Sequence, residues 1–93
     1  KQINLSGSMN IIKKLNTLYL SDGFKEIFSL NSQQCTQFKE DINNFIDFLN
    51  KINTHQVEKD IYYLPQMKRY IQINDRKDQD TTLGVMIDIT TSI

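Results

Sequence analysis

The sequence predicts an α+β domain, with helices first and an antiparallel β-hairpin last. Two periodicities and the break between them carry this. The apolar residues Cys35, Phe38, Ile42, Phe45, Leu49 and Ile52 recur at gaps of 3, 4, 3, 4 and 3. At helical pitch all six share one face. Beyond Pro65 the period becomes two: Met67, Arg69, Ile71 and Ile73 alternate with Lys68, Tyr70, Gln72 and Asn74. Leu83, Val85, Ile87 and Ile89 alternate with Gly84, Met86, Asp88 and Thr90 in the same way. Alternation with many β-branched residues is the mark of strands.

Residues 1–8 end in Ser6-Gly7-Ser8, just before Met9. They read as a vector-derived scar, as a short peptide tethered to a domain that begins at Met9, or as a native strand and turn. A helix is expected over about residues 9–20, capped by Ser8, because Ile12, Leu15 and Tyr19 form one stripe and Ile11, Leu15 and Leu18 another. Ser21-Asp22-Gly23 breaks it, and Phe24, Ile27 and Phe28 mark a further turn or two capped by Ser21 or Asp22.

The central amphipathic helix is expected over about residues 31–53. Asn31 stands at its N-cap and Gln34 at the third helical position, the spacing of a capping box. Leu30 and Cys35 have the spacing of a hydrophobic staple. Val57, Ile61 and Leu64 predict one more helix to about residue 63, stopped by Pro65. The hairpin strands are then about 67–74 and 82–91, joined by the polar loop 75–80. Two strands alone are marginal in water. The face of Leu83, Val85, Ile87 and Ile89 is therefore expected to pack on the Phe-rich helix stripe.

At 93 residues, with 39% hydrophobic and 24% charged residues, the chain is read as a single globular domain over residues 9–93. Eleven acids balance eleven bases, so no whole-chain field draws it to nucleic acid or to an anionic membrane. No apolar run reaches the ~18–20 residues of a membrane span. The single cysteine, Cys35, has no internal disulfide partner, which predicts a reducing compartment, cytoplasmic or nuclear.

Chemistry is sparse. His55 is the only histidine, with Glu58 near it and no nucleophile or ligand at a fixed spacing. Cys35 lies in the apolar register, where a thiol is inert. Asp75, Asp78 and Asp80 lack the Gly and Glu of a calcium loop, and Lys77 interrupts them. Glu40, Asp41 and Asp47 fall on the wet side of the helix. The pairs Lys13-Lys14, Lys68-Arg69 and Arg76-Lys77 lie near acids, and Tyr62, Tyr63 and Tyr70 stand near the second pair. That is a weak nucleic-acid signature without a basic stripe. No catalytic residue, metal ligand or cofactor is expected.

These features predict a non-enzymatic protein-interaction module: a self-associating subunit or adaptor of a larger intracellular complex, with a homodimer as the expected state. The expected contact residues are Phe38, Phe45, Phe48, Leu49 and Ile52 on the helix and Val85, Ile87 and Ile89 on the strand. Ile46 and Phe48 widen the helix stripe beyond what one hairpin covers, and such patches mark interfaces. The alternatives are a small inhibitor or immunity-type protein that blocks a partner enzyme, and, behind it, a nucleic-acid-binding protein.

Overall fold

Strand pairing begins almost at the start of the chain. The computed structural model describes residues 5–92. Strand β1 (Ser6–Ile12) and strand β2 (Thr17–Leu20) form a hairpin closed by a 3₁₀ turn at Lys13–Leu15. The helix expected over residues 9–20 is thus a β-hairpin. Met9 and Ile11 point inward between half-buried Ser8, Asn10 and Ile12, so the segment satisfies period two as well as it satisfies helical spacing. Leu15, the residue shared by both expected helical stripes, lies at the hairpin tip, 67% exposed. Asn16 takes the left-handed conformation that the tip requires, one that Asn tolerates better than most residues. Ser6, Gly7 and Ser8 belong to β1. The remainder of the 1–8 segment, Lys1 to Asn4, falls outside the described residues.

Helix α1 (Asp22–Ile27) follows at once, and Ser21 fixes its start. The Ser21 Oγ accepts from the Phe24 N–H at 3.1 Å and from the Ser8 N–H at 2.9 Å. One hydroxyl therefore caps the helix and ties it to β1. The approach is backbone to backbone. A Cβ on Gly23 would lie 1.7 Å from the Ser6 carbonyl oxygen, and one on Gly7 would lie 2.2 Å from the Phe24 nitrogen. Only glycine permits this contact at both positions.

The expected central helix is two helices, α2 (Ser32–Glu40) and α3 (Ile42–Asn53). Its start is as expected. Asn31 Oδ1 accepts from the Gln34 N–H at 2.8 Å, and Gln34 Oε1 accepts from the Asn31 N–H at 2.9 Å, a full capping box. The break is at Asp41, which has extended backbone angles. Its N–H donates to the Gln37 carbonyl while its Oδ1 accepts from the Asn43 N–H at 3.0 Å. Asp41 closes one helix and caps the next. The apolar stripe runs unbroken through it, so periodicity gave no warning.

The chain ends in four strands: β3 (Gln56–Glu58), β4 (Ile61–Leu64), β5 (Arg69–Lys77) and β6 (Thr81–Asp88). The helix expected through Val57 and Ile61 is therefore the β3–β4 hairpin, turned at Lys59-Asp60, where Asp60 has φ 63°. The expected C-terminal hairpin is present as β5–β6, with β5 shifted toward the loop and β6 ending at Asp88, short of the expected residue 91. Its loop shrinks to residues 78–80, closed by the Asp78 N–H to Thr81 carbonyl bond at 2.9 Å. It is not a free hairpin. All neighbouring strands are antiparallel in one six-stranded sheet of order β2-β1-β6-β5-β4-β3.

The helices cover one face of this sheet. Phe24, Phe28, Phe38, Phe45 and Phe48 form one aromatic cluster, with ring centroids 4.7–5.9 Å apart. Such separations suit tilted and edge-to-face pairs. Met9, Ile11, Leu18, Leu64, Ile71 and Met86 complete the core from the sheet. Arg69 joins the layers: its Nη1 donates to the carbonyls of Glu26 and Ile27 at 3.2 and 3.1 Å, and its Nε lies 3.7 Å from Asp88 Oδ2.

The β6 face expected to meet the helices is the wrong one. Thr82, Gly84 and Met86 point inward, while Leu83 and Val85 are 45% and 51% exposed. Met9 fills the space above Gly84, where a Cβ would lie 2.8 Å from its methyl. The inner face of β6 thus combines the small Thr82 and Gly84 with the bulky Met86, and Met9 of β1 fills the space that Gly84 leaves.

Phe45 is 0% exposed and pairs with three other rings. Phe45→Ala is expected to cost about 3–5 kcal/mol through lost burial and a residual cavity. Urea midpoints measure this, and a loss below about 1 kcal/mol would mean that the cluster is not packed as described.

Candidate functional site

The pairing registers define an outer sheet face row by row. One row is Tyr19, Asn10, Leu83 and Arg76, the next Ser8, Val85 and Asn74, and a third Ser6, Ile87, Gln72 and Ile61. Tyr63 and Tyr70 pair beside them, with centroids 4.7 Å apart. Tyr19 is 59% exposed, and Leu83 and Val85 are the exposed apolar residues of the central rows. Arg76 is the charged side chain of the first row, and Glu58, the β3 partner of Ile61, is that of the third. The face is therefore apolar at its centre and bordered by Ser, Asn and Gln, with its charges, Arg76 and Glu58, away from Val85.

The two sheet edges differ. Alternate β1 residues bond to opposite neighbours: Leu5 accepts from Asp88, and Lys13 donates to Asp80 on the β6 side, whereas Ser8 accepts from Ser21 on the β2 side. In an antiparallel ladder this leaves the backbone groups of Leu18 and Leu20 on the open edge of β2. That edge is four residues long. The β3 edge is three residues, irregular in register and flanked by Glu58 and Lys59, features that blunt an edge.

The expected contact residues divide between the two sides of the sheet. Phe38, Phe45 and Ile52 are buried in the core of this one chain, and Phe48 and Leu49 are half-buried against it. Val85 lies in the open on the outer face, and Ile87 is half-buried there. Ile89 follows β6, half-buried, with its N–H donating to the Tyr70 carbonyl. The structure thus does not bring the eight residues together. Tyr19 and Leu83 join Val85 on the same face, which sequence reasoning missed. The small Thr82 and Gly84 were the available signal that the other parity faces a bulky layer.

The chemistry candidates remain scattered. His55 is exposed in the turn after α3, and Cys35 is a half-buried free thiol on α2. Asp75, Asp78 and Asp80 are exposed, and among the described residues no three His, Cys, Asp or Glu side chains gather to hold a metal ion. Lys68-Arg69 does not present two free cations, because Arg69 is spent on the α1 carbonyls and Asp88. Burial, followed by the carboxylates of Asp60 and Asp75, pushes the Tyr62 hydroxyl above its ordinary pKa, which leaves it a neutral phenol. Among the described residues no helix is long and apolar enough to cross a membrane. No protein-family model, curated protein or solved structure matches the chain.

The two β6 parities give a direct test. In dilute protein, Met86→Ala is expected to cost about 2–5 kcal/mol, while Val85→Thr stays within about 0.5 kcal/mol of wild type. Chemical denaturation of the two variants reads this, and a reversed order would place Val85 inside.

Proposed function

We propose that the chain is a non-enzymatic protein-interaction module, a subunit or adaptor of a larger intracellular assembly, that pairs with a second copy of itself through the outer sheet face. The supporting observation is the central strand β6, which turns Leu83 and Val85 into the open although the helices already cover the opposite face. Exposed apolar side chains in adjoining rows are the pattern that association removes from water.

Size sets the strength of the contact. Strands β1, β5 and β6 have seven to nine residues and β2, β3 and β4 three or four, so five inter-strand gaps of ~4.8 Å and a mean strand length of ~19 Å give a face of ~450 Å². Two such faces bury ~900 Å², the size of a weak, concentration-dependent interface. The charges of the face, Arg76 and Glu58, lie off its apolar centre, so a copy laid centre on centre need not desolvate like charges against each other there. A two-fold axis near Val85 sets the apolar centre of one face on that of the other, with polar rows at the rim, as interfaces are built.

The experiment is sedimentation equilibrium over low to high micromolar protein, for wild type and for Val85→Lys. Wild type is expected to move toward dimer mass with a melting temperature that rises with concentration. Val85→Lys places two cations across the axis and is expected to stay monomeric while remaining folded. Monomer mass for wild type throughout, with a concentration-independent melt, would contradict the pairing and favour the blocking-protein alternative.

A further inference from the structure

On the helix side, away from the outer face, the fold holds a cavity of about 330 Å³ between the end of α3 and the β4–β5 turn. Phe28, Phe48, Ile52, Leu64 and Met67 make its apolar walls. Lys51 in the last turn of α3 and His55 in the turn that follows it join the lining from exposed positions. Gln34 and Gln66 are its other polar members, and no aspartate or glutamate lines it. A second cavity, of about 160 Å³ between α3 and the sheet, differs on this point: Asp75 lines it together with Lys13 and Lys77. The first is thus an apolar chamber whose lining carries a lysine and no acid, with the histidine ring as a further polar group.

We propose that this cavity binds a medium-chain monocarboxylate. The volume sits at the lower end of the ~300–1,000 Å³ range of small-molecule sites, which suits a ligand of about ten non-hydrogen atoms. An alkyl chain of that length gains by leaving water for the Phe28, Phe48 and Leu64 walls. Its carboxylate meets the Lys51 ammonium, and the His55 ring offers a second hydrogen bond. A cationic ligand of the same length meets Lys51 as a like charge. The site is independent of the self-association proposed above and stands or falls without it.

The test is calorimetric titration of the whole chain with octanoate, butanoate, octan-1-ol and octylamine, with amide shifts mapped in parallel. Octanoate is expected to bind in the sub-millimolar range, and each methylene removed weakens binding about fourfold. Octylamine is expected to bind at least tenfold more weakly than octanoate. Lys51→Gln is expected to weaken octanoate about three- to fivefold, the upper part of the range of an exposed ion pair, and to leave octan-1-ol unchanged. Amide shifts should concentrate at residues 51–55 and 64–67. Octylamine binding as tightly as octanoate, an octanoate affinity untouched by Lys51→Gln, or shifts centred elsewhere would each overturn the proposal.

Discussion

The pairing of β1 with β6 joins the two ends of the chain at the middle of the sheet. Seven consecutive residue pairs, from Ser6 with Ile87 to Ile12 with Thr81, make this seam. It turns the N-terminal hairpin and the C-terminal meander into a single sheet, and everything between them, α1 to α3, must cross over one face. The side is fixed by the contact of α1 on β1. Gly7 and Gly23 let the two backbones meet, and Ser21 satisfies an N–H on each. Ordering such a non-local seam costs loop entropy that local contacts do not. The aromatic cluster, in which α1, α2 and α3 each bury a phenylalanine, offsets that cost.

Once the helices are committed to one face, the other is left to solvent or to a partner. Antiparallel sheets commonly leave one face wet, with polar residues there. This sheet follows that pattern at its borders and departs from it at Leu83, Val85 and Tyr19. The departure lies on central rows, where pairing with another surface buries it most completely. The β3 edge is short and charged, and the open β2 edge offers backbone groups from only two residues. Face-to-face contact therefore has more area available than edge-to-edge extension.

The sequence announced the parts governed by local chemistry. The capping box at Asn31 and Gln34, the Ser21 cap and the β5–β6 hairpin all follow from residues close together. Residues 9–20 and 56–64 did not announce themselves. Ile11, Leu15 and Leu18 satisfy helical spacing by coincidence, and so do Val57, Ile61 and Leu64. What decides for strands is the distant partner, β6 for one segment and β5 for the other. Periodicity puts Asp41 on the wet face of the expected helix, while its role as a cap depends on a backbone conformation invisible to periodicity. On β6 the more hydrophobic set, Leu83, Val85 and Ile87, faces outward, against the expectation from alternation alone. Of the inner positions, Gly84 is small because Met9 already fills the space above it. The outer apolar surface could not be recognised until that parity was known.

The most direct measurement of the division between a core face and a pairing face is an isotope-filtered NOE experiment on a mixture of labelled and unlabelled chains. Intermolecular cross-peaks are expected from the methyls of Leu83, Val85 and Ile87, and none from Ile46 or Leu49 on α3. Cross-peaks from the α3 methyls with silence from β6, or no intermolecular cross-peaks at millimolar protein, would contradict the assignment of the outer face as the surface through which this domain associates.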